Sequence, residues 1–347
     1  MRVNTPAPRT EAELEDALSL PRDATIAALQ RTPGDIVILG AGGKMGPTLA
    51  RMAARAAILA DGGAPRRVIA VSRFSSPRAE DALHAVGVET VRCDLLDRAA
   101  VARLPDAPNV IYMAGQKFGT SDAPSRTWMQ NVVVPAICAE RYAASRIVAF
   151  STGNVYPLTP PSSGGSRESD PLGPVGEYAA SCVGRERVLE HYSAARGTKV
   201  AIVRLNYAID LRYGVLVDIA AAIAEGRPIP LAMGHVNVIW QGDANRVALE
   251  LLPHASSPPL VVNVTGGETI GVRAVAAELA RRMGREAAFS GSEAPNALLS
   301  DSSRMRTLVG PPSMPLGTLL DWVAGWVSGG RPLLGKPTGF EKRDGAF

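Results

Sequence analysis

The feature that most constrains this chain is a short apolar run, Asp35 to Leu39, which ends in the glycine cluster from Gly40 to Gly46 (GAGGKMG) and continues as a helical pattern from Met45 to Ala60. Few folds admit strand, glycine turn and helix in that order. Glycine at Gly40, Gly43 and Gly46 lets the backbone turn sharply and lie close to a pyrophosphate, and the helix N-terminus offers it free amides. The alternation then repeats. Strands are predicted at 67–71, 89–92, 110–113, 146–150 and 199–204, with helices at 79–86, 125–144 and 177–196. This spacing predicts an α/β fold, a doubly wound parallel Rossmann sheet covered on both faces. After Arg204 the pattern loosens to helices at 218–225, 272–283 and 316–327 and a strand at 260–264, which predicts a smaller mixed C-terminal substrate domain.

The expected organisation is a helical N-terminal extension over 1–33, a dinucleotide-binding domain over 34–206 and 236–270, a substrate-binding domain over 207–235 and 271–330, and a tail over 331–347. The extension carries two short helical patterns, 11–18 and 24–30, expected to pack on the outside. Between Pro157 and Pro174 the chain is rich in Pro, Gly and Ser, which reads as a surface loop: an active-site flap or a plain linker. Trp322 and Trp326 lie one helical turn apart and read as core.

Composition excludes several classes of function. The chain has 347 residues, 46% of them hydrophobic, enough for a sizeable core, and its formal net charge of +4 is dispersed. Without a basic patch there is no expectation of a nucleic-acid partner. Three cysteines (Cys93, Cys138, Cys182) form no CxxC pair, and four scattered histidines form no metal-binding pattern. No stretch approaches the roughly 20 apolar residues of a membrane span, and no leader is legible. A cytoplasmic protein acting on a small molecule is the expectation.

The spacing GxxGxxG, together with a series of motifs downstream of it, resembles the extended short-chain dehydrogenase/reductase superfamily, the NAD(P)-dependent epimerase/dehydratase family. Asp94 and Leu95 (in CDLLD) match the residues beside the adenine ring; Met113, Ala114 and Gly115 match the fourth-strand turn over the cofactor; Asn131 matches the next helix. The segment from Phe150 to Tyr156 (FSTGNVY) resembles FSSxxVY, and Pro174 to Tyr178 (PVGEY) resembles the approach to the catalytic tyrosine. Gly40, Gly43, Lys44, Met45 and Gly46 would form the phosphate turn. At the end of the second strand, Ser72 and Arg73 replace the carboxylate expected to meet a free ribose 2'-hydroxyl. A cation there favours a 2'-phosphate, so NADP is expected in preference to NAD, with Lys44 a second candidate cation.

The resemblance implies a Ser or Thr that orients the substrate oxygen, a Tyr that transfers the proton, and a Lys four residues on. Thr152 and Tyr178 fill the first two places, and Cys182 stands in the third, so the pattern is YxxxC. Arg185, a turn further on, is a candidate replacement cation; otherwise it lies in solvent or at a subunit contact. Tyr178 and Cys182 are also expected beside the cofactor. The stretch from Val236 to Asp243 (VNVIWQGD) lacks the arginine that often meets a nucleotide diphosphate, which points to a substrate without a nucleotide handle: a sugar, sugar acid or polyol. Gln116, Thr152, Asn154, Asn206, Arg212 and Trp240 are the candidate lining residues. The implied function is an NAD(P)-dependent oxidoreductase or epimerase/dehydratase, with a turnover-impaired NADP(H)-binding sensor as the alternative. The resemblance also implies a homodimer formed through the helices that carry Ser125 and Glu177.

Overall fold

A computed structural model describes residues 6–62, 66–74, 77–336 and 338–346. Seven parallel strands form its central sheet: β1 (Ile36–Leu39), β2 (Val68–Ser72), β3 (Glu89–Arg92), β4 (Asn109–Tyr112), β5 (Arg146–Thr152), β6 (Lys199–Leu205) and β7 (Leu260–Val264), in the spatial order β7-β6-β5-β4-β1-β2-β3. Strand order reverses between β1 and β4, and in such sheets the crevice outside the carboxyl ends at that point receives the ligand. Leu39 lies level with both Val71 and Tyr112, so the three loops that leave these strands open onto one crevice.

Helices α1 (Glu11–Leu18), α2 (Asp23–Gln30), α3 (Gly46–Ala60), α4 (Pro77–His84), α5 (Arg98–Ala102), α6 (Pro124–Trp128), α7 (Val134–Arg141) and α8 (Gly176–Arg196) precede β6. Then come α9 (Val215–Ala224), α10 (Gln241–Glu250), α11 (Val272–Met283), α12 (Ser303–Val309) and α13 (Leu316–Ser328). The four residues of β1 are all buried because apolar layers cover both faces of the sheet. A third apolar cluster, containing residues of α9, α11 and α13, forms a core among the C-terminal helices. Trp322 and Trp326 are buried in it, as their spacing predicted.

Three expectations need correction. The N-terminal helices do more than cover the outside: Leu14 and Leu18 of α1 are fully buried in the C-terminal core, and Leu29 of α2 is fully buried against the sheet. Asp16 also pairs with Arg51 and Arg55 of α3. The single helix expected over 125–144 is divided into α6, a π-helical turn (Met129–Val133) and α7. Pro135 has no N–H to offer the carbonyl of Asn131 one turn back, and Arg185 Nε donates to that carbonyl instead, at 3.4 Å. The 157–174 segment is fastened in place rather than free: Thr159 bridges Ala297, Ser166 N–H donates to Leu299 O, and Glu168 accepts from Asn263 N–H at 2.8 Å.

Candidate active site

Two cavities open at the carboxyl end of the sheet. The first, of about 290 Å³, is lined by Gly40, Gly42, Gly43, Ser72, Arg73, Phe74, Cys93, Asp94, Leu95, Met113, Ala114, Gly115 and Gln130. Most of the residues expected to meet a dinucleotide are thereby brought together. A Cβ at Gly40, whose φ is +88°, would lie 2.6 Å from the Ala114 backbone, and one at Gly46 would strike the Ala41 carbonyl. Gly43 is exposed, with only the Gly40 carbonyl near its missing Cβ. The turn is thus bare where a phosphate would approach, and α3 begins there with no acidic residue in its first turn. Arg73 is exposed at the groove's rim, with no carboxylate among the described residues lining the groove near it except Asp94. These residues fit a dinucleotide. Gly42, Phe74, Cys93 and Gln130 were not singled out in the sequence; only their neighbours carried a signal.

The second cavity, of about 140 Å³, is lined by Thr152, Asn154, Tyr178 and Asn206, as expected, and also by Lys44, Met45, Lys117, Ser151, Tyr207, Tyr213 and Thr338. Thr152 ends β5 and caps the short 3-10 turn after it, its Oγ1 accepting from Asn154 N–H at 3.2 Å and from Asn154 Nδ2 at 3.0 Å. Tyr178, in the first turn of α8, hydrogen-bonds Thr152. Burial pushes its phenol well above the ordinary tyrosine range, and Cys182 pushes in the same direction, while Thr152 and Arg185 act against them. Tyr178 is therefore a neutral phenol, able to give a proton.

Cys182 is fully buried, packed with Val155 and Tyr156, and burial pushes its thiol up as well. It lines neither cavity. Arg185 is buried, in neither solvent nor an exposed face: Nη1 donates to Phe150 O at 2.7 Å and Nη2 to Asn131 Oδ1 at 2.8 Å. Its guanidinium lies directly beneath Gly115, where a side chain at that position would strike it. Asn131 is fully engaged, its amide also donating to Gln116 O and Ser181 Oγ, both at 2.9 Å, and its Oδ1 accepting from Gln116 N–H at 2.8 Å. This locks the turn after β4 to α8.

Met45 lines the second cavity and not the groove, Gly46 is buried and borders neither, and four further candidates fall elsewhere. Lys44 faces the second cavity, its Nζ 3.6 Å from the centroid of the Tyr213 ring, and does not accompany Arg73. Gln116 is pinned by Asn131 and borders neither cavity. Arg212 is held by Asp210 and Glu15 and borders a separate cleft beside α9. Trp240 packs edge-on against Trp322, ring centroids 5.6 Å apart, because its apolar body is worth more in that core than at a polar site.

A match to the family described as NAD dependent epimerase/dehydratase spans residues 36–235, more than half of the chain. The chain belongs to the NAD dependent epimerase/dehydratase family. Among solved structures, it is similar to a UDP-Glc/GlcNAc 4-epimerase from Campylobacter jejuni (22% identity, 86% of this chain and 100% of that one, TM-score 0.69). It is also similar to a UDP-glucose 4-epimerase from Thermotoga maritima (16%, 85% and 99%, TM-score 0.68). A third is a dTDP-glucose 4,6-dehydratase double mutant from Streptomyces venezuelae (20%, 84% and 96%, TM-score 0.70). At these identities the likeness is one of fold. No curated protein matches the sequence. In this epimerase/dehydratase-family chain, no helix among the described residues is long and apolar enough to cross a membrane, and no described group of His, Cys, Asp or Glu could hold a metal.

Proposed function

We propose that this protein is a nicotinamide-dinucleotide-dependent oxidoreductase that interconverts a carbonyl and an alcohol on a small sugar acid or polyol, with NADP(H) as the working cofactor. The observation that carries this is the hydrogen-bonded Thr152–Tyr178 pair lining a small cavity beside a bare, glycine-walled groove. Gly40, Gly43, Asp94, Met113 and Gly115 would hold the dinucleotide, with Ser72 and Arg73 at its ribose phosphate. Bound there, a reduced nicotinamide supplies a hydride to a carbonyl carbon. Thr152 and Tyr178 hold the carbonyl oxygen, and Tyr178 delivers its phenolic proton as that oxygen becomes a hydroxyl. Arg185, buried beneath Gly115 and lining neither cavity, places a fixed positive charge under that turn but leaves the Tyr178 phenol raised. Reduction is the favoured direction, since it uses the phenol as it stands.

The neutral, packed Cys182 is what a turnover-impaired sensor would also carry, and one assay separates the two readings. Purified protein titrated with NADPH and NADH is followed by fluorescence, then by NADPH consumption over a panel of carbonyl sugars and acids. Binding with turnover supports the enzyme; binding without turnover on any member supports the sensor. Arg73→Glu is expected to reverse the cofactor preference, weakening NADPH at least about tenfold relative to NADH. An unchanged NADPH/NADH ratio would remove Arg73 from the phosphate site. The working form is proposed as a cytoplasmic homodimer joined through α6 and α8, where Trp128 and Val175 are exposed.

A further inference from the structure

Lys44 stands inside the glycine turn, yet its side chain leaves the dinucleotide groove and enters the cavity of Tyr178. Lys117 lines the same cavity, its Nζ donating to Thr338 O at 3.1 Å. Among the described residues that line it there is no Asp or Glu. Three carboxylates act on the two lysines from outside the lining: Asp210 binds Arg212 through both oxygens, at 3.1 Å and 2.8 Å, Asp218 Oδ2 accepts from Thr338 N–H at 2.8 Å and its hydroxyl at 2.6 Å, and Glu341, which acts on Lys117, borders the separate cleft beside α9. Lys44 lies over the face of Tyr213, which stabilises a cation only modestly. Burial lowers Lys44 to about 7, with Asp210 opposing and Lys117 reinforcing the shift. Burial lowers Lys117 to about 8. An anion in the cavity would restore both charges.

Size narrows the anion. At about 140 Å³ the cavity lies below the ~300 Å³ at which drug-sized sites begin. A nucleotide-linked sugar would extend well beyond it, whereas a small acid would not. Resting on the reading of Thr152 and Tyr178 as the reacting pair, we propose that Lys44, seconded by Lys117, receives the carboxylate of a small hydroxy or keto acid and so presents its neighbouring carbon to Tyr178. Lys44 is thus the residue that selects acids over neutral polyols.

The test uses matched probes that differ in the carboxylate alone: glycerate against glycerol, and gluconate against sorbitol, titrated into the full chain by calorimetry. At least one acid is expected to bind at least about tenfold more tightly than its alcohol. Lys44→Met should abolish that preference and Lys44→Arg should keep it, with NADPH affinity unchanged in both. Equal binding of acid and alcohol, binding of neither, a preference that survives Lys44→Met, or a loss of NADPH affinity in Lys44→Met would each overturn the proposal. Turnover is measured separately by NADPH consumption with the corresponding keto acids. Lys44-dependent acid binding without turnover would sink the reaction reading alone and leave the carboxylate site standing.

Discussion

Tyr178→Phe is expected to lower the rate of carbonyl reduction by about 10²–10⁴-fold, the usual worth of a positioned proton donor, without changing the melting temperature appreciably. The ring stays where it packs beside Cys182, and only the hydroxyl that meets Thr152 and the Cys182 thiol is lost. The pH profile adds a second, independent reading. Because burial raises the Tyr178 phenol above its ordinary ~10, the protonated form persists through alkaline pH, so reduction should not fall between pH 8 and 10 on account of this group. Oxidation needs the phenolate, which is scarce at neutral pH, and should climb as pH rises. Steady-state rates in both directions across that range check the sign. With a neutral carbonyl substrate, whose binding does not call on the Lys44 charge, a reduction rate that collapses near pH 7 would show that a lysine-like activation of the tyrosine is present after all.

The largest effect on stability is expected from Glu186→Ala. Glu186 and Arg204 are almost wholly buried, joined at 2.6 Å, with Ser151 Oγ donating to Glu186 at 2.5 Å. Arg204 also donates to Tyr156 OH at 2.6 Å, and Tyr156 OH donates to Asn263 Oδ1 at 2.8 Å. The chain of bonds ties α8 to β5, β6 and β7. Removing the carboxylate leaves a guanidinium buried without its counter-charge, which costs about 3–5 kcal/mol and should lower the melting temperature by on the order of ten degrees. Glu186→Gln, which keeps acceptors for Ser151 and Arg204, should cost less. Thermal unfolding followed by circular dichroism distinguishes them; equal, small shifts in both would mean the pair contributes little.

The central sheet was legible because strands buried on both faces are continuous apolar runs, and the helices between them keep one apolar stripe. Helix α10 was not, and the reason is physical. All ten of its residues are buried, the charged ones included, although a stretch so rich in polar side chains reads in sequence as an exposed one. Its charges are satisfied internally, Arg246 bridging Asp243 and Glu250 at 2.8 Å each. At the site, the glycines, Thr152 and Tyr178 were readable because their chemistry depends on order along the chain. The direction in which Lys44 leaves its turn was not, since rotation about a few backbone bonds decides it. Lys117 and Thr338 reach the cavity from irregular segments far apart in sequence, and nothing local marks them.

Gly43 faces one cavity and Lys44, the next residue, faces the other. Whatever orders this turn for one ligand orders it for the other, so the two binding equilibria share a common term. Such sharing is reciprocal: the factor by which a dinucleotide tightens the binding of an acid must equal the factor by which the acid tightens the binding of the dinucleotide. A single tight turn would thereby make each ligand's affinity depend on the presence of the other, whichever is added first.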